Sequence, residues 1–280
     1  MAAALSPNQT QQLTAALDAL NTDALPAELI AFLRSTCSFD SAVMMAYPES
    51  SKLVVLEDQL TARDRELFEG PYRNGLYLLS PLYLQSQAGE RGFFHISDIA
   101  PKGFTESEFY TLYYSNYGST DQVSFLAETA RGTPIVIALE RVEPSPPFRE
   151  AERAAFEDIA ELVATLLRKQ QWSDSATTQL LRETPQPRDM HAHLQQVLSA
   201  FGSSTLTPRE RDVVRLILRG YPSKSVAREL DISTQTEQVH RKNIYQKLGI
   251  SSHAELFTLF FDAIAQPWTD GEDPLAQRRA

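Results

Sequence analysis

Gln235, Gln238, Val239, Lys242 and Gln246 follow one another at steps of 3, 4, 7 and 11 residues from the first. That spacing puts them on one face of a helix if the segment is helical. Side-chain amides and an ammonium group suit hydrogen bonding to base edges, and a small valine suits contact with a thymine methyl. On a lone helix this face would be ordinary solvated surface. Its surroundings favour a nucleic-acid partner, because Arg209, Arg211, Arg215, Arg219, Lys224, Arg228, Arg241, Lys242 and Lys247 cluster around it. Cations of this kind neutralise phosphates while the amides read bases, so double-stranded DNA is the expected partner.

The elements that must hold this face are punctuated in the sequence. Thr207 is placed to cap a helix with Pro208 at its first position and Glu210 three residues after the cap; Gly220 ends it. Ser223 opens a short second helix through Leu230. Thr234 and Glu237 have capping-box spacing at the head of a third, closed by Gly249, and Ser252 and Glu255 repeat the spacing for a fourth. The tight turn at Asp231-Ile232-Ser233 makes the second and third a helix-turn-helix. Ile244 and Leu248 are expected to point inward, and Glu237, as a cap, to stay near water.

The stretches LTPRERDVVRLILRG, SKSVARELDIS and VHRKNIYQKLGISS, all within residues 206–252, resemble the DNA-binding domain of LuxR-type transcription regulators. The resemblance implies that the third helix lies in the major groove and that the fourth helps to pair two domains on a two-fold site. By position, Val239 and Lys242 match groove-facing residues and Lys224 a backbone contact. The family commonly has Thr-Val-Lys where this chain has Thr236-Glu237-Gln238, so the target sequence is expected to differ. The candidate DNA-binding set is Lys224, Gln235, Thr236, Gln238, Val239, Arg241, Lys242 and Gln246.

The 280 residues suffice for two domains, and the net charge of −10 is unevenly placed. Residues 1–170 hold thirteen Lys and Arg against twenty-three Asp and Glu, whereas residues 206–256 hold nine against six. An acidic front repels DNA, so binding falls to the C-terminal module, whose surplus of +3 is modest enough to call for a homodimer. Cys37 is the only cysteine, no apolar run reaches the length of a membrane span, and the start lacks secretory features, so the expected setting is cytoplasmic.

Residues 1–170 are expected to form an α+β domain, an antiparallel sheet flanked by helices, joined by a linker (171–204) to an all-α, four-helix helix-turn-helix domain (205–265) and a loose tail (266–280). The predicted elements are helices over 7–20 and 26–36, strands Ser41–Tyr47 and Lys52–Glu57, a charged helix over 62–69, and a helix over 105–117. Strands Asp121–Glu128 and Pro134–Val142 and a long helix, Arg149–Lys169, complete the domain. The order resembles GAF/PAS-like sensor domains, including autoinducer-binding domains, over roughly residues 25–170. It does not fit a receiver domain, which begins with a strand and paired acids.

Autoinducer-binding domains of the acyl-homoserine-lactone type use a Tyr, an Asp-Pro step and a Trp. Here Tyr72 and Tyr77 precede Ser80-Pro81, and Trp172 and Trp268 lie outside the domain, so a different small-molecule effector is expected. Tyr110, Tyr113, Tyr114 and Tyr117 share a helical face, and buried hydroxyls need partners. The candidate ligand-binding set is Tyr72, Tyr77, Ser80, Phe94, Asp98, Tyr110, Tyr114 and Asp121, with plain core as the alternative for each. A ligand-free dimerisation or docking module is the rival reading of the whole domain. No cofactor or metal is expected: His191 and His193 are two apart and share no helix face. Cys37 and His95 have no nucleophile turn about them, so catalysis is not expected. Dimer contacts are expected from the Arg149–Lys169 helix and from Leu256, Leu259, Phe260 and Ile264.

Overall fold

The computed structural model describes residues 5–48, 53–61, 65, 68–73, 76–115, 118–172, 196–265 and 272–276. The chain forms two compact units. One comprises Met1–Glu66, Leu82–Ile99 and Tyr117–Pro187; the other comprises Leu67–Pro81, Ala100–Asn116 and Arg188–Ala280. Two stretches of the N-terminal half are thus counted with the C-terminal helices.

In the first unit, α1 (Pro7–Asp18) starts on a capping box between Ser6 and Gln9, and α2 (Leu25–Thr36) starts with Pro26 in its first turn. Strands β1 (Ser41–Ala46), β2 (Val54–Gln59), β3 (Gly92–His95), β4 (Ser119–Glu128) and β5 (Pro134–Val142) form an antiparallel sheet in the order β2-β1-β5-β4-β3. The helix α3 (Pro81–Gln87) leads into β3. The Arg131-Gly132 turn joins β4 to β5, with Gly132 at φ +83°, a conformation that favours glycine.

Period-two alternation sorts the strands into faces. Ala42, Met44, Val123, Phe125, Ile137 and Leu139 point to one side and pack with Phe32 and Leu33 of α2 and with Phe156, Val163 and Leu167. The other side carries Val43, Met45, Gln122, Ser124, Val136, Ala138 and Glu140, all buried as well. Burial on both faces fits β5, which reads as an unbroken apolar run from Pro134 to Leu139.

The long helix predicted over Arg149–Lys169 is two helices, α4 (Glu150–Asp158) and α5 (Ala160–Lys169), broken at Ile159 with φ −102° and ψ 0°. Its apolar stripe, Phe156, Ile159, Val163, Leu166 and Leu167, is spent in the core. The stripe is therefore taken up within its own unit, and a dimer contact through these helices would have to use the opposite, exposed side.

Arg141, at the end of β5, organises the loops at this edge. Its guanidinium donates to the Ser38 carbonyl at 3.0 Å, the Pro146 and Pro147 carbonyls at 3.1 Å each and Glu152 at 3.1 Å, and lies 4.3 Å from the Phe148 ring centre. Hydrogen bonds from the Arg149 and Arg141 guanidinium groups hold the Glu152 carboxyl well below the usual carboxylate range. Behind the pair lies Cys37, whose thiol is pushed up to about 11, first by burial and then by Glu152.

In the second unit, α6 (Pro208–Leu218), α7 (Ser223–Glu229), α8 (Thr234–Leu248) and α9 (His253–Ala265) follow the predicted order. The capping box of Thr207 with Glu210 is formed as expected. Two other caps fall one residue earlier. Pro222 precedes α7, and Ser233 caps α8 by accepting from the Thr236 N–H at 3.0 Å. Gly249 closes α8 at φ +67°.

The helix expected over 105–117 is three short pieces, Phe104–Glu106, Glu108–Tyr110 and Thr111–Ser115. Of the linker helix, residues 196–200 are helical. Within the tail expected to be loose, residues 272–276 are anchored through Asp273, which accepts from the backbone N–H groups of Gly202 at 2.9 Å and Ser204 at 2.8 Å. The 62–69 helix lies for the most part outside the described residues, as do His191, His193, Tyr117 and Trp268.

Candidate nucleic-acid interface

Helix α7, the turn and α8 form the helix-turn-helix. Asp231 takes a positive φ of 51°, which lets the chain reverse, and the Ile232 N–H returns to the Ala227 carbonyl at 2.9 Å. On α8, Ile244 is fully buried, whereas Gln235, Thr236, Gln238, Lys242 and Gln246 are exposed. Val239 is 57% exposed, more than any other large apolar side chain among the described residues. Lys224 on α7 is exposed too. Seven of the eight predicted DNA-contacting residues therefore face outward from two adjacent helices.

Arg241 is the exception. It is 9% exposed, and its Nε and Nη2 donate to Glu237 Oε1 at 2.9 and 2.7 Å. Glu237, expected near water as a cap, is 0% exposed, and its other oxygen accepts the hydroxyl of Ser223. The reason is electrostatic: a carboxylate can be buried only if paired and hydrogen-bonded, and Arg241 lies one turn along the same helix. Arg241 is thus the one residue of the predicted set that the fold turns inward. The i,i+4 charge spacing was the available signal.

A second carboxylate tie holds the far end of α8. The Lys247 ammonium donates to Glu210 Oε1 and Oε2 at 2.9 and 2.7 Å, while the Thr207 N–H donates to Glu210 Oε2 at 2.8 Å. Burial pushes the Glu210 carboxyl upward, but the Lys247 ammonium and the Thr207 donors outweigh it and hold the carboxyl below its ordinary value. Nothing in the sequence links positions 210 and 247; only the fold does. On α9, Leu256 and Phe260 are fully buried, Phe260 against Phe201 at 5.5 Å, so these two are not free for a dimer contact.

The predicted ligand-binding residues fall into three groups. Tyr72, Tyr77 and Ser80 are buried together, with the Tyr72 hydroxyl 3.5 Å from Ser80 Oγ. Tyr110 and Tyr114 stack at 5.4 Å beside Phe104, in the unit that holds the helix-turn-helix. There Ser225 of α7 donates to the Lys102 carbonyl at 2.6 Å, and Phe109 lies 6.5 Å from Phe257 of α9. A Cβ built on Gly220 would meet the Phe104 ring at 3.0 Å, so this close approach needs glycine.

The third group is in the sheet unit. Asp121 accepts from His95 Nε2 at 2.7 Å and from the N–H groups of Gln122 and Phe148 at 2.9 Å each, and Asp98 takes the Ser97 hydroxyl at 3.2 Å. Phe94 is half-buried on β3, with its carbonyl accepting from Ser124. With both oxygens of Asp121 engaged by its own unit, its role is to join β3, β4 and the loop before α4. Sequence reasoning missed the Gln122 and Glu140 pair on the second sheet face, where Gln122 Nε2 donates to Glu140 Oε1 at 2.7 Å. A cleft of about 360 Å³ beside Arg141 and Arg149 is also present. Its Arg141 floor is committed to the carbonyls and carboxylate above.

An exposed, amide-rich face on the second helix of a helix-turn-helix defines a DNA-binding module. Residues 204–260 match the family model of bacterial regulatory proteins of the luxR family. Over 176 residues, 62% of this chain and 89% of the relative, the chain is 31% identical to a putative HTH-type transcriptional regulator in the exeN 3' region of Aeromonas salmonicida. Over 50 residues, 18% of this chain and 23% of the relative, it is 48% identical to the nitrate/nitrite response regulator protein NarL of Escherichia coli. Among solved structures, it is similar to the VqsR LBD domain of Pseudomonas aeruginosa, with 24% identity, a TM-score of 0.48 and 59% of this chain and 96% of that one covered. The chain belongs to the luxR family of bacterial regulatory proteins and is a transcriptional regulator with a family DNA-binding domain. Among the described residues no helix is long and apolar enough to cross a membrane.

Proposed function

We propose that the chain binds double-stranded DNA as a homodimer, reading sequence through Gln235, Gln238, Val239, Lys242 and Gln246 while Thr236 and Lys224 contact the backbone, and that a small molecule held by the N-terminal sheet domain controls this binding in the cytoplasm. The observation that carries the DNA assignment is the exposure of Val239 in the middle of a polar, cationic face. Flanked on the same face by Gln238 and Lys242, which can bond to base edges, its methyl groups are placed to cover a thymine methyl. Dimerisation is supported by the small positive surplus of the module, since one copy neutralises few phosphates.

Effector control is supported by the second face of the sheet, where Gln122, Glu140 and Ser124 sit buried among Val43, Met45, Val136 and Ala138. A few polar groups on an apolar lining are the chemistry by which a small molecule is oriented. Residues 100–116, joined in sequence to β4, give such a signal a direct contact with α7 and α9.

Footprinting on an operator selected from random duplexes tests the first part. Two protected half-sites about one DNA turn, ~34 Å, apart are expected for a two-fold dimer; one protected site, with a monomeric complex by light scattering, contradicts it. Thermal-shift screening of a metabolite panel tests the second, with concentration-dependent stabilisation expected from one chemical class. If no metabolite stabilises the protein, the front domain is a dimerisation or docking module.

A further inference from the structure

The reading helix is held at both ends by buried carboxylates, and we propose that the one at its start, Glu237 with Arg241 and Ser223, is a positioning device that sets how α8 is presented to DNA. The proposal rests on α8 being the reading helix. Glu237 is wholly buried. One of its oxygens takes both Arg241 donors and the other takes the hydroxyl of Ser223, the first residue of α7. A single carboxylate thus ties a side chain one turn along α8 to the start of the neighbouring helix.

An apolar contact at this place would hold the two helices together without fixing their rotation, because hydrophobic attraction has no direction. Charge-assisted hydrogen bonds do have direction, and in some proteins a buried polar or ionic group fixes one arrangement while adding little to stability. Rotation matters here because Gln238, Val239 and Lys242 are the immediate neighbours of the buried pair. A few degrees of turn in α8 carries their polar ends away from the base edges they must meet. The pair also adds no net charge to the face, so it leaves the attraction to phosphates to Lys224 and Lys242 and acts on discrimination between sequences.

The test uses the full-length chain, an operator selected from random duplexes by the wild-type protein, and a scrambled duplex of equal length. The double variant Glu237→Val with Arg241→Leu removes one charge of each sign, so long-range electrostatics are unchanged, and apolar replacement of a buried pair preserves folding in other proteins. The expected result is a fall of about tenfold in the ratio of operator to scrambled affinity, the loss of roughly one well-read base pair. The slope of log affinity against log salt should stay at the wild-type value.

Two results overturn the proposal. A ratio within twofold of wild type makes the pair simple core packing. A slope shallower by about 0.9, with equal loss on both duplexes, makes Arg241 a phosphate ligand. If the double variant does not melt cooperatively, Ser223→Ala carries the test. It should lower the ratio about threefold at constant slope, and an unchanged ratio sinks the proposal. Lys242→Ala, run alongside, separates the premise: full affinity in that variant means that α8 is not the reading helix.

Discussion

The sheet unit and the helix-turn-helix unit both tie elements together with buried charged groups, but the group that gathers its partners is a cation, Arg141, in one and a carboxylate, Glu210 or Glu237, in the other. At the end of the central strand a buried cation, Arg141, gathers the carbonyls of Ser38, Pro146 and Pro147 and the carboxylate of Glu152, closing the loops around it. In the DNA-binding unit two buried anions, Glu210 and Glu237, take donors from different helices and fix one helix against two others. A guanidinium has five donors in a planar fork and suits a ring of carbonyls. A carboxylate has two oxygens and suits a bridge between two elements. In the helix-turn-helix unit the charged ties lie behind α8, while the amide-rich face of α8 is exposed.

The comparison can be broken most severely at Arg141. Arg141→Ala leaves the carbonyls of Ser38, Pro146 and Pro147 without their donor and the Phe148 ring without its cover, while Glu152 keeps Arg149; a loss of about 3–5 kcal/mol is expected by chemical denaturation. A loss below about 1 kcal/mol would mean that the loops close without it. Glu210→Ala should cost less, about 1–3 kcal/mol, because the Lys247 side chain is 37% exposed and solvent screens the pair.

Glu210 also sharpens the contrast through pH. Its folded value is depressed, so its stabilisation is fully present above the unfolded carboxylate range and is lost as pH falls through the folded value. Glu210→Gln should therefore flatten the acid limb of a stability–pH curve below about pH 4.3. An unchanged limb would show that Lys247 contributes nothing there. The smallest effect is chemical rather than energetic. With its thiol pushed up to about 11, Cys37 stays protonated at pH 8 and should resist iodoacetamide until the protein is unfolded; rapid native labelling would contradict its burial behind Arg141.

The two units also differ in how much of them could be read from the chain alone. The four C-terminal helices were legible because their signals are local: Thr207 with Glu210, Gly220, Gly249, and a reading face at helical spacing. The cap of α8 falls at Ser233 and not at Thr234 because neighbouring serine and threonine compete for the same role, while α7 starts behind Pro222, which supplies no side-chain cap. The antiparallel sheet flanked by helices was legible from element order. The break at Ile159 was not, since the apolar stripe of Phe156, Val163 and Leu167 runs through it unchanged.

Pairings between distant residues stayed out of reach. Lys247 with Glu210, Arg141 with Ser38, and Asp273 with Gly202 carry no spacing signal and exist only once the chain has folded. The tyrosines at 110 and 114 show the limit most clearly. Their spacing suggested a ligand-facing stripe, and the structure stacks them beside Phe104 in the unit that carries the helix-turn-helix.

The central claim is that α8 meets DNA with its Gln238, Val239 and Lys242 face, and Lys242→Ala tests it most directly. The measurement is affinity of the full-length protein for its selected operator across a salt series. The account predicts affinity lower by about 1–3 kcal/mol and altered selectivity at the contacted base if Lys242 meets a base edge, or a uniform loss with a slope shallower by about one if it meets a phosphate. Wild-type affinity and an unchanged slope would contradict it.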